Sequence, residues 1–354
     1  MELYKAHEQW KTRADDERFS SLQALYDATK AYAANAKEAS VSYGTLRVEA
    51  VKNDVQLVGR AGVPAKFTHW AFSQLCARIE TPADYMRKLP ATLACQNINY
   101  GLANRSSLED AKLLLHVNGG YVLRALTTEK YARIWNWEVA ERLLSLPGEW
   151  EPARPDYDKA DQTPPALYAS DHDMFAFLRS KDRTIKEIGT DEPIWRGWIV
   201  ENSEVGAAAL KLTRFLYRYM CGNHIIWGAS KVMDMSIRHV GEAKEKWARF
   251  AIEMRKYDES SARDDEARIA ETKRTVIAAT KEEVLDAVFG KRHLGLSRKT
   301  IEAGYNATVE DKDGSPRTQW GLVQGLTRYS QSIAYADKRT DIDRAAGKLM
   351  EVKF

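Results

Sequence analysis

The sequence predicts an α+β fold, an antiparallel, hairpin-built sheet backed by helices with a charged helical C-terminal region. Three observations predict it. In LLLHVNGGYVLRAL two apolar runs are joined through Asn118, Gly119 and Gly120, residues that supply the positive backbone angles of a tight hairpin. Further on, ALYA, DMFAFL, WRGWIVEN and ALKLTRFLYRYMC follow one another as short strand-like runs without helical patterns between them, which favours an antiparallel meander. From Ser236 the apolar spacing becomes helical and the segment becomes densely charged.

Taken in order, the first segment spaces Phe19, Leu22, Leu25, Tyr26 and Tyr32 as a helix would, to about Ser40. SVSYGTLRVEA and DVQLVGR have the composition of two short strands. FTHWAFSQLCARIETPADYMRKL is helical, with Thr68 as N-cap and Pro82 opening a second helix. After the hairpin, EKYARIWNWEVAERLLSL fits an amphipathic helix. Pro147, Pro152, Pro155, Pro164 and Pro165 crowd the next stretch, where neither helix nor strand is easily continued. The predicted organisation is therefore a mixed unit over 1–146, a proline-rich linker or excursion over 147–165, antiparallel strands over 166–235, and a helical region over 236–354, with 166–354 as one domain in the simplest arrangement. EEVLDAVFG, SRKTIEAGY, TQWGLVQGLTRYSQS and DIDRAAGKLM are the late helices.

A hydrophobic content of 44% over 354 residues suffices for a buried core. Cys76, Cys95 and Cys221 are odd in number and far apart, and no leader or membrane-spanning run is visible, so a reduced cytoplasmic setting is expected, with no membrane partner. The net charge of +3 is unevenly spread. Residues 211–256 hold ten Lys or Arg against four Asp or Glu, a local +6, which leaves the rest of the chain at about −3.

Within that basic segment, TRFLYRYMCGNHIIWG places Cys221 and His224 close together, with Asp234 and His239 following. Four potential metal ligands within nineteen residues invite comparison with a zinc site, but Asp234 and His239 are poorly spaced as a second ligand pair. Cys221 as a buried strand residue and His224 at a turn is the simpler alternative. HExxH, GxSxG, GxxxxGK[ST] and a strand-linked GxGxxG are all missing, so neither a catalytic residue nor a cofactor is assigned. Asp171, His172 and Asp173 form a polar cluster that reads as a turn or cap before an apolar run.

As a strand, TRFLYRYMC alternates Thr213, Phe215, Tyr217, Tyr219 and Cys221 with Arg214, Leu216, Arg218 and Met220. Single-stranded nucleic acid is bound by stacking rings and phosphate-neutralising cations in one groove, so this separation argues for aromatic packing on one side and anion contact on the other. The candidate phosphate contacts are Arg214, Arg218, Lys231, Arg238, Lys244 and Arg249; Phe215, Tyr217, Tyr219 and Trp227 are the candidate stacking groups. Glu242/Lys246 and Glu245/Arg249 sit at helical i, i+4 spacing and neutralise part of the charge. Trp195 and Trp198 suit core anchoring as well as stacking. A separate pattern, EEVLDAVFGKRHLGLSRKTIEAGY, imitates a helix-turn-helix with Arg298 and Lys299 on its second helix.

The phrases FTHWAFSQLCARIETPADYMRKLP, YVLRALTTEKYARIWN, SDHDMFAFL, RGWIVENSEVGAAALKLTRFLYRYMCGNHIIWG with SIRHVG, and TQWGLVQGLTRYSQ resemble a family of phage- and plasmid-encoded proteins known as a domain of unknown function (932). That resemblance implies a mobile-element origin and little about mechanism. At the level of fold alone, the hairpin, strand and helix order with a basic sheet face is similar to single-strand annealing proteins of the Red-beta and RecT kind.

The expectation is a non-enzymatic, phage- or plasmid-type protein that binds single-stranded DNA in annealing or recombination, in the host cytoplasm, as a homo-oligomer whose assembly lengthens the groove. A protein-interaction module, such as an inhibitor of a host defence system, would use the same basic surface against an acidic partner. A metal-dependent hydrolase using Cys221, His224, Asp234 and His239 is the other alternative.

Overall fold

The computed structural model describes residues 14–59, 64–104, 110–117, 119–146, 148–153, 166–186, 193–218, 223–225, 235–241, 245, 247–248, 250, 252, 262–310, 314–333 and 336–354. Among these residues the chain forms ten α-helices and two mostly antiparallel sheets, an α+β architecture.

The first sheet contains β1 (Ala36–Ser42), β2 (Arg47–Val51), β3 (Asp54–Val58), β4 (Pro64–Phe67), β5 (Asp110–Val117) and β6 (Tyr121–Thr128), in the order β1-β5-β6-β4-β3-β2. The β5–β6 hairpin pairs Val117 with Tyr121 and turns through Gly119, whose φ of 62° is open to glycine without strain. Only β4 and β6 pair in parallel among the described strands. Helices α2 (His69–Arg78), α3 (Ala83–Met86) and α4 (Ala91–Asn104) pack in the core of this sheet, whereas α1 (Leu22–Ala34) and α5 (Asn136–Leu144) belong to the core of the second sheet. Thr68 Oγ1 accepts from Ala71 N at 3.1 Å and caps α2, which buries Ala71, Phe72, Leu75 and Cys76. Truncating a side chain as enclosed as Leu75 costs about 2–5 kcal/mol.

Three local expectations need correction. The opening helix ends at Ala34, and β1 starts two residues later because Ala36 pairs with His116. The helix expected from Glu129 begins only at Asn136: Tyr131 bridges to Val240, Ala132 N donates to His239 O at 2.9 Å, and these ties hold the preceding segment extended. Ser236 lies in a strand, paired with Lys211, so the helical region starts later than its charge pattern suggests. Helix α4, rich in small and polar residues, gives little periodic signal; it buries Ala94, Cys95, Ile98 and Leu102.

The second sheet contains β7 (Trp150–Pro152), β8 (Leu167–Ala169), β9 (Met174–Lys186), β10 (Pro193–Asn202), β11 (Leu210–Arg218), β12 (Asn223–Ile225) and β13 (Met235–Ile237). Its path runs β12-β11-β10-β9-β7, with β13 beside β11 and β8 beside β9, the meander expected from the sequence. The proline-rich stretch thus contributes one short strand, β7; residues 154–165 lie outside the described residues. Phe175, Phe177, Leu178, Trp198 and Val200 from this sheet form one core with Leu22 and Leu25 of α1 and Val139 and Leu143 of α5.

Helices α6 (Ala262–Arg274), α7 (Lys281–Phe289), α8 (Arg298–Ala307), α9 (Gln319–Gln331) and α10 (Ala336–Leu349) make a bundle around Trp320, Val323, Leu326 and Ile301, and Ile194 of β10 joins that core. Helices α8 and α9 cross closely. A Cβ on Gly304 would stand 2.6 Å from Leu326 Cδ2, and one on Gly325 would collide with the Gly304 carbonyl. No helix among the described residues is long and apolar enough to cross a membrane.

Candidate nucleic-acid interface

Strand β11 carries the stretch that drew attention in the sequence. Toward β10, Arg214 pairs with Trp198, Leu216 with Arg196, Tyr217 with Trp195 and Arg218 with Ile194. Leu210 and Leu212 are buried, as are Val200, Trp198 and Ile194 across the pair. Alternation assigns positions 214 and 218 to the pleat of these covered residues.

The opposite pleat, positions 211, 213, 215 and 217, is likewise covered on the β10 side, at Glu201, Ile199 and Gly197, and differs only where β11 meets β13. Lys211 and its partner Ser236 are exposed, Thr213 is half-buried, and Arg238, two residues after Ser236, is exposed. Lys211 therefore lies at the paired end of this edge and Arg238 one residue past the end of β13. Neither has an ion-pair partner among the described residues. This edge brings cations to the pleat whose register positions are filled by Phe215 and Tyr217. In the sequence Lys211 is one of ten cations in the basic segment, and only the β13 pairing reveals its exposed neighbour.

The remaining sequence candidates divide as follows. Arg214, Phe215, Tyr217, Arg218 and His224 have described backbone only, and Tyr219, Cys221, Trp227, Lys231, Asp234, Lys244 and Arg249 lie outside the described residues. His224 belongs to β12, opposite Tyr217, and is not at a turn. His239 is buried, stacked on Tyr131 at 5.2 Å, and its Nδ1 accepts from Ile134 N at 3.4 Å. Burial, and then Arg133, lower its pKa to about 4. A neutral imidazole is what this contact requires. No group of three or more His, Cys, Asp or Glu that could hold a metal exists among the described residues.

The Asp171–Asp173 cluster is a turn. Ser170 Oγ accepts from the backbone N–H groups of His172 and Asp173, each at 3.1 Å, and donates to Asp173 Oδ1 at 3.0 Å. Trp198 is buried, and Trp195, half-buried, lies under the Arg179 guanidinium at 4.6 Å. Both tryptophans are core anchors.

A buried polar hub positions the whole edge. Glu204, in the loop from β10 to β11, receives Arg124 Nη1 at 3.0 Å and the backbone N–H of Asn136 at 2.9 Å, while Arg133 donates to its carbonyl. Arg133 also reaches Glu38 of β1 at 2.7 Å. On the same loop the Val205 carbonyl accepts from Trp70 Nε1 at 3.0 Å and Gln74 Nε2 at 2.8 Å. One arginine inside the apolar run YVLRALTT was the available sequence signal for this hub, since a charge buried there needs a partner.

A cleft of about 350 Å³ between α2, β6 and this loop is lined by Gln74, Arg78, Thr127, Thr128, Tyr131 and Gly206. Its polar groups are largely engaged: Tyr131 Oη donates to Ser203 O at 3.0 Å, Thr127 Oγ1 to Lys112 O at 3.2 Å, and Gln74 Oε1 accepts from Leu126 N at 2.9 Å.

A family model described as Domain of unknown function (DUF932) matches residues 164–349, spanning β8 through α10. No curated protein and no solved structure matches the chain.

Proposed function

The chain belongs to the DUF932 family, and from that premise we propose that it is a nucleic-acid-binding protein without catalytic activity, of mobile-element origin, that holds single-stranded DNA for annealing or recombination in a host cytoplasm. The supporting observation is the β11–β13 edge, where exposed Lys211, with exposed Arg238 just past β13, shares a pleat of β11 with the register positions of Phe215 and Tyr217, four and six residues further along the strand. Cations and stacking rings on one surface are the ingredients of a sequence-tolerant single-strand groove. Lys231, Lys244 and Arg249 extend the positive field of the same segment and supply further phosphate contacts, while Arg214 and Arg218 lie on the other pleat of β11. Oligomerisation of identical chains lengthens the groove.

The test is strand annealing followed by fluorescence quenching of two complementary labelled oligonucleotides. The protein accelerates duplex formation at low salt in this reading, and the acceleration disappears in Lys211→Ala/Arg238→Ala. Annealing at the protein-free rate, with no retained single-stranded DNA, counts against it.

A further inference from the structure

We propose that the connection between α7 and α8 is a second, separate docking edge, for double-stranded DNA. From Ala287 to Ile301 the chain contains Lys291, Arg292, His293, Arg298 and Lys299 and no acidic residue. The connection is ordered by its own bonds: Leu294 N donates to Lys291 O at 3.0 Å, Gly295 N to Arg292 O at 3.2 Å, and Gly295 adopts φ 69°. Leu294 is buried in the bundle core with Leu285, Val288 and Ile301, so this anchor fixes the turn that presents Arg292 and His293 to solvent.

Partner assignments single out the basic side chains that no carboxylate neutralises. Arg298 pairs with Asp286 across the two helices, and Lys281 pairs with Glu302 at 2.9 Å. Arg292 lies over the Phe289 ring at 4.5 Å and Lys291 over Phe354 at 5.4 Å, with Lys291 Nζ donating to Lys353 O at 3.2 Å. Arg292, His293 and Lys299 have no acidic partner among the described residues.

Stabilisation of the helix dipole explains only part of this. Lys291 and Arg292 follow the C-terminal end of α7, where cations are favourable. Arg298 and Lys299 occupy the first turn of α8, where they are unfavourable, and that turn contains no acidic residue. An arriving phosphate relieves this positive end and meets Arg292 and His293 beside it.

The occupant is a duplex because the rings at this edge lie under cations, leaving no stacking platform, whereas a duplex presents rows of phosphate. It is DNA because the exposed start of a helix enters the major groove of B-form DNA but not the deep, narrow one of A-form RNA. The eight-residue connection Gly290–Ser297 is longer than that of a tight helix-turn-helix, and its 3₁₀ turn, Arg292–Leu294 after Lys291, adds the cations Lys291 and Arg292.

The full chain and Arg292→Glu/Lys299→Glu are titrated against a 20-base-pair DNA duplex, the same duplex as RNA, and one DNA strand alone, by fluorescence anisotropy across salt. The double variant is expected to lose at least about tenfold in duplex DNA affinity and to flatten the log–log salt slope by about 1.8, the release from two phosphates, while single-strand affinity stays within about twofold. Lys299→Glu alone, at an exposed and unpartnered residue, provides the test if the double variant fails to fold. Unchanged duplex affinity, equal loss on duplex and single strand, or equal affinity for the RNA duplex would each overturn the proposal. Duplex binding that survives in a chain unable to bind single strands would sink the single-strand reading and leave this edge standing.

Discussion

Arg124 and Glu204 form an ion pair at 3.0 Å with both side chains buried, and it ties β6 of the first sheet to the loop between β10 and β11 of the second. Arg124 also donates to Asp171 O at 3.1 Å and lies over the Tyr32 ring at 4.5 Å.

Breaking that pair strands a buried charge. Glu204→Ala is expected to destabilise the fold by about 3–5 kcal/mol in urea unfolding, and Arg124→Met/Glu204→Leu by less, because both charges are then removed. Additive losses for Arg124→Met, Glu204→Leu and their double variant would mean that the two side chains do not act as a pair.

Acid should weaken the contact between Tyr131 and His239. His239 has a pKa of about 4 in the fold against an ordinary 6.5, so between those values the unfolded chain binds a proton that the folded chain refuses. Stability is therefore lost as pH falls from 6.5 to 4, by about 3 kcal/mol at about 1.4 kcal/mol per unit. Burial lowers His116 as well and adds loss in the same direction. His239→Gln should flatten the decline, read as ΔG of unfolding at successive pH values.

The crossing of α8 and α9 admits no side chain at its contact point. Gly325→Ala is expected to destabilise the bundle by about 1–3 kcal/mol, seen as a lower Tm, because the new methyl meets the Gly304 carbonyl, which cannot move aside, as well as the Thr308 hydroxyl. An unchanged Tm would mean that the helices slide apart without loss.

The two pleats of β11 can be separated by their cations. Lys211→Ala/Arg238→Ala is expected to weaken single-stranded DNA binding uniformly across sequences and to flatten the salt slope by about 1.4, the release from two single-strand phosphates. Arg214→Ala/Arg218→Ala, at positions paired with buried Trp198 and Ile194, reports on the other pleat. The pair that leaves the slope unchanged is structural.

Much of the architecture was legible in the sequence because it rests on local signals. Asn118-Gly119-Gly120 marked the hairpin, Thr68 the start of α2, and the apolar spacing of EEVLDAVFG and TQWGLVQGLTRYSQ the helices α7 and α9. What escaped depends on distant partners. Tyr131 to Trp135 look helical by periodicity but are held extended by His239, more than a hundred residues away. The register of β13 against β11 likewise cannot be read locally, so the sequence marks Arg214, Arg218 and Arg238 by charge alone and leaves Lys211 unmarked. Glu204 gave no motif at all, since its role is set by Arg124 on another sheet.

The most direct measurement is equilibrium binding of the full chain to a labelled single-stranded oligonucleotide by fluorescence anisotropy, titrated with salt from low to physiological strength. Binding that weakens linearly in log affinity against log salt, with Lys211→Ala/Arg238→Ala shallower than the unmodified chain, is the result predicted. No measurable binding at the lowest salt, or binding indifferent to salt, would contradict the nucleic-acid reading.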